Sequence, residues 1–300
     1  TLSYAIRLGE TVTREGDPGT GYALVLEAAR RSNDERLFQR ATDIALQARA
    51  GDQALAAAQA WKQATPQATD ANRYGLQILI ALNRIDDIPT PLREMLDQTP
   101  DAEKPGMLLA LPQLLRRAPD KAQAARMLEK ALNTELRAEG AAAAAWTAIG
   151  RMRLQAQDAT GALDAARRGQ ASHAQADGPA VLALELMENG TADAEPLLTA
   201  YLQQRPSPEV RMAYARLLLE QQRYPEARSQ LKAVTTEKPD LPQAWLAQAA
   251  LQVQDQQYEA AEASLGELLR LAKSSPDNET LRASLTQAYL LHAQIAEKRG

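Results

Sequence analysis

The chain has 300 residues, 45% of them hydrophobic and only 4% aromatic, with a formal net charge of −4 and no cysteine. Lack of cysteine excludes disulfides, thiol catalysis and cysteine-held metals, and an acidic balance without a strongly basic segment argues against nucleic acid as a partner. No apolar run nears the roughly 20 residues of a membrane span, and Ala, Leu, Gln, Arg and Glu prevail where β-branched runs are missing, so the expected class is all-α.

Tyr224 and Tyr258 are 34 residues apart, as are Ala227 and Ala261, and this interval sets a register for the whole chain. In chain order, the first unit starts near Leu2, with Leu8-Gly9 at positions 7 and 8. Its "EGDPGTG" stretch, Glu15 to Gly21, reads as the turn between two helices. A phosphate loop needs a preceding strand and a following Lys-Ser/Thr, and neither is present. The second unit starts at Glu35, with Ala54 at position 20 and Pro66 at position 32. The third, from Thr69, is degenerate and keeps only its apolar spacing and Pro100. A fourth from Pro105 carries Ala124 and Ala131. A fifth from Ala143 carries Trp146, Ile149-Gly150 and Ala162 at positions 4, 7–8 and 20. Units near Gln175, with Ala194 and Pro206, then from Pro208 and from Pro242, complete eight at intervals of 32 to 38 residues.

A partial ninth unit is expected near 286–300, with Gly300 at its turn. Leu290, Leu291 and Ile295 are then expected to expose apolar surface that favours self-association.

The spacing has a physical cause. Each unit is two amphipathic helices joined by a turn. Small residues at 8 and 20 let the pair approach closely, and large ones at 4, 7 and 24 fill the seam with the next unit. A proline at 32 cannot continue the second helix.

This pattern resembles the tetratricopeptide repeat, and the resemblance covers nearly the whole chain. It implies one solenoid over residues 1–300, an α-α superhelix of right hand, with roughly 16 or 17 antiparallel helices. A narrower resemblance lies in Leu26–Pro66, Asn72–Arg84, Ala145–Gln170 and Leu290–Gly300, which are similar to proteobacterial outer-membrane repeat lipoproteins. That likeness implies a periplasmic, membrane-anchored adaptor. Such an adaptor binds a carboxyl-terminal processing protease and presents cell-wall hydrolases and other lipoproteins to it. The lipidated cysteine of that family has no counterpart in these residues. The alternative is a chaperone-type module gripping one peptide. Its carboxylate clamp needs Lys and Asn on successive first helices, where this chain has Gln39, Asp43, Arg73 and Gln77.

In repeats of this kind the first helices form the inner wall, and the resemblance implies that positions 2, 5, 9, 12 and 13 face it. Here those positions give Arg36, Gln39, Asp43, Arg73, Gln77, Arg116, Arg117, Arg151, Arg216 and Glu220, with Tyr74 at the edge. Six arginines against one Asp and one Glu suit a groove that receives an acidic protein segment. Enzyme chemistry finds no support. His173 and His292 lack ligand spacing, and the paired carboxylates read as solvated helix faces. No catalytic residue, metal or cofactor is expected, and the partners expected are proteins.

Overall fold

The computed structural model describes residues 2–204, 206–274 and 279–299. Gly300, expected at a turn, lies outside the described residues. Seventeen α-helices and no strand occur among the described residues. The contacts group the chain into two compact units, residues 1–173 and 174–300, and each is described by itself.

The first unit holds α1 (Leu2–Arg14), α2 (Pro18–Ser32), α3 (Glu35–Gln47), α4 (Gly51–Ala64) and α5 (Thr69–Ala81). It continues with α6 (Pro89–Gln98), α7 (Lys104–Leu114), α8 (Lys121–Ala131), α9 (Ala142–Gln155) and α10 (Ala159–Ser172). Short 3-10 turns at Ile85–Asp87, Leu115–Arg117 and Glu135–Arg137 interrupt it. The second unit holds α11 (Asp177–Glu188), α12 (Glu195–Leu202), α13 (Pro208–Glu220) and α14 (Tyr224–Glu237). It ends with α15 (Pro242–Gln254), α16 (Tyr258–Ser274) and α17 (Glu279–Arg299).

The first helices of the eight units start at 2, 35, 69, 104, 142, 177, 208 and 242, each within two residues of the expected position. Tyr224 and Tyr258 open α14 and α16, and Ala227 and Ala261 are fully buried one turn later. Pro66, Pro100, Pro206 and Pro239 each fall shortly beyond the helix they terminate.

Close approach is most direct in the first hairpin. A Cβ on Gly9 would lie 2.8 Å from Val25 Cγ2, and one on Gly21 would lie 2.8 Å from the Gly9 carbonyl oxygen. These are the eighth and twentieth residues of the first unit, so the small-residue rule is a backbone contact here. In six repeats the chain passes through a left-handed residue between the first and second helices. Gly16, Arg49, Asn83, Gln157, Gln222 and Gln256 have φ of 97°, 57°, 56°, 62°, 60° and 62°. Each is the fifteenth residue of its unit. The turn geometry is therefore imposed even where the residue is not glycine, at a cost of roughly 1–2 kcal/mol each.

Asp17, Asp120 and Asp158 then cap the following helices, accepting from the backbone N–H of Thr20, Gln123 and Gly161. Such a cap contributes about 1 kcal/mol.

Two expectations are corrected. The last helix begins at Glu279 and not near 286, and it packs on both α15 and α16. Leu281, Ala288 and Ile295, seven residues apart, form its covered face, so Ile295 is buried at 1% exposure. Leu291 packs partly against that core, and Tyr289 and Leu290 alone are large exposed apolar groups there. Trp146, expected to fill a seam, does pack against the core, half-buried with the Arg168 guanidinium 5.0 Å from its ring centroid. The fully buried tryptophan is Trp61.

Candidate partner-binding face

In the first unit six of the expected groove residues fall into two groups. On α3 and α5, the Gln39 Nε2 donates to the Tyr74 hydroxyl at 3.0 Å. Burial pushes the Asp43 carboxyl above the usual carboxylate range, against the opposing pull of the Arg40 charge and the Tyr74 hydroxyl. Arg40 is committed elsewhere, to Glu10 on α1 through two bonds of 2.6 and 2.8 Å. Tyr74 is a half-buried link between repeats, its ring 5.8 Å from Trp61.

The second group is an open notch. Gln77, Ile80 and Ala81 of α5 and Gln113, Leu114, Arg116 and Arg117 surround a cavity of about 390 Å³. Two prolines shape the backbone on either side of the Leu115–Arg117 turn. Pro112 inside α7 has no N–H to give and crowds the preceding turn, and the helix tightens into the 3-10 turn Leu115–Arg117. Pro119 drives Ala118 into extended backbone, φ −60° and ψ 127°, which ends the turn. The Lys121 ammonium then donates to the Arg116 and Ala118 carbonyls. The backbone at this helix end is satisfied, while the Arg116 and Arg117 side chains stay exposed. Among the described residues no carboxylate pairs with either guanidinium.

The other expected residues are not gathered into these groups. Arg36 is exposed at the start of α3, and Arg73 is held by Asp70 at 2.7 Å. Arg151 is half-buried on α9. Arg216 and Glu220 are exposed one turn apart on α13, in the second unit. Among the described residues no cluster of His, Cys, Asp or Glu is placed to hold a metal ion, and no helix is long and apolar enough to cross a membrane.

Helices α13 and α14 and the Arg-Tyr turn between them lie in the stretch that bears on the family question. Residues 185–251 match the tetratricopeptide repeat family model. The matched stretch runs from the end of α11 into α15. No curated relative matches the chain.

Among solved structures, yeast Tom70 aligns over 99% of this chain and 76% of its own, at 11% identity and a TM-score of 0.43. The P58(IPK) TPR domain aligns over 98% of both chains at 16% identity and a TM-score of 0.29. A tetratricopeptide repeat protein from Parabacteroides merdae covers 96% of this chain and 98% of its own, at 11% identity and a TM-score of 0.34. Likeness at this level transfers no function.

Proposed function

We propose that the protein is a non-catalytic scaffold that binds other proteins, with a partner segment seated in the notch between α5 and the Leu115–Arg117 turn. The observation that carries this reading is the pair of exposed guanidiniums without a carboxylate partner, beside the apolar floor of Ile80 and Leu114. Guanidinium forks match carboxylates bidentately, and Gln77 and Gln113 supply amides that suit an extended backbone. The partner segment is acidic with an apolar neighbour.

The finer reading names the partner as a periplasmic carboxyl-terminal processing protease or its substrates, with the chain tethered at the outer membrane. Its support is the sequence resemblance of Leu26–Pro66 and the later segments to such lipoproteins. Titration of the purified protease against the wild-type chain and the Arg116→Glu/Arg117→Glu variant tests both levels. Binding that weakens at least tenfold in the variant, with an unchanged melting temperature, is the expected result. Equal binding by the two chains removes the notch as the site. No binding to either removes the protease reading.

A further inference from the structure

The degenerate third repeat departs from the seam rule at two neighbouring positions. Where the flanking repeats place Phe38 and Leu108 at position 4, it has Asn72, and at position 7 it has Gly75. A Cβ built on Gly75 would meet nothing within 4 Å. The missing side-chain volume corresponds to a cavity of about 320 Å³ between α4, α5 and the start of α6. It shares no residue with the notch of the proposed partner site.

The lining is mostly apolar, from Leu55, Ala58, Leu79 and Pro91. Its charged neighbours are already compensated: Lys62 pairs with Glu94, and Arg84 pairs with Asp87 at 2.7 Å. A charged ligand therefore finds no unpaired charge here. One polar group is unmet. Asn72 is 1% exposed, its Nδ2 makes only a long 3.4 Å bond to Gln98 Oε1, and its Oδ1 accepts nothing. A buried acceptor left in that state is costly. Asn72 lines the cavity, and the final torsion of Asn is broad, so its Oδ1 is free to turn toward a donor there.

We propose that this cavity is a binding site for a neutral aromatic ring carrying one N–H or O–H donor, of the indole or phenol class. Such a ring supplies the large apolar body that position 4 lacks in this repeat and the donor that Asn72 lacks. The volume exceeds the roughly 150 Å³ of a cavity that holds benzene.

Calorimetric titration of the full chain with indole and with 1-methylindole tests the inference. Saturable binding of indole is expected, with 1-methylindole about tenfold weaker because it cannot donate. Gly75→Leu fills the cavity and is expected to abolish indole binding while the melting temperature holds or rises. Asn72→Ala is the second variant; it is expected to bind indole and 1-methylindole equally. N-acetyltryptophanamide binding as well as indole assigns the ring to a partner's side chain, and binding of free indole alone assigns it to a diffusible ligand. The proposal is overturned by no saturable binding of any of the three probes, by equal wild-type affinity for indole and 1-methylindole, or by full binding in a folded Gly75→Leu chain.

Discussion

Arg93 on α6 grips Glu135 across 42 residues of sequence, through Nη1 at 3.0 Å and Nη2 at 2.5 Å, and the Glu135 carboxylate is buried at 4% side-chain exposure. The same guanidinium reaches Asp97 on its own helix, and these carboxylates hold it firmly in the charged form. A buried carboxylate needs this partner because desolvation without compensation is costly. Arg93→Met is expected to lower stability by about 3 kcal/mol in urea unfolding. Arg93→Met combined with Glu135→Met is expected to recover most of that loss. A double variant no better than the single one would show that the pair is valued for shape and not for charge.

Gly21 faces the α1 backbone. Its hypothetical Cβ falls 1.9 Å from Thr13 Oγ1 and 2.8 Å from the Gly9 carbonyl oxygen. Gly21→Ala is expected to destabilise by about 1–3 kcal/mol. Adding Thr13→Ala removes the first clash but not the second, so the double variant should stay below wild type in thermal unfolding. Full recovery would mean that the helices separate freely.

The left-handed turn residues offer the opposite sign. Gln222 sits at φ 60° before α14. Gln222→Gly relieves roughly 1–2 kcal/mol of backbone strain and loses part of it, about 0.4–1 kcal/mol, to the freer unfolded chain. A net gain of about 0.5 kcal/mol is expected from denaturant midpoints. Lys232→Gly, on the exposed face of α14, should instead destabilise by about 0.7 kcal/mol, because glycine there only weakens a helix interior. A loss at Gln222 would refute the strain argument.

Acid sensitivity is expected around Glu195. Its Oε1 forms an ion pair with Arg223 at 2.7 Å and accepts from the Tyr214 hydroxyl at 2.6 Å. Arg223 first, and Tyr214 next among the favourable contacts, hold the carboxyl below its ordinary value of 4.5. A depressed folded value means stability that is present above the unfolded value and is lost as pH falls through the folded one. Glu10 beside Arg40 acts in the same direction. Urea midpoints measured from pH 7 to pH 3 should fall less steeply for Glu195→Gln than for wild type. Parallel slopes would show that Glu195 is not coupled to folding.

The amino-acid sequence by itself determined the helical class, the starts of the first helices, the small-residue contacts such as Ala227 and the prolines that end second helices. All of these follow from local constraints. Periodicity decides which face is apolar, a missing N–H ends a helix, and a side chain that is too large keeps two backbones apart. Tertiary structure alone decided that Ile295 is covered while Leu290 is not, because the answer depends on where α15 and α16 lie against α17. It also brought Gln77, Arg116 and Arg117, three of the eleven candidate residues, around one cavity. Arg73, alike in charge, is held instead by Asp70. The Arg93–Glu135 pair and the Asn72–Gly75 cavity were illegible for the same reason. A charge or a void acquires meaning only from what packing brings beside it, and sequence spacing does not record that neighbour.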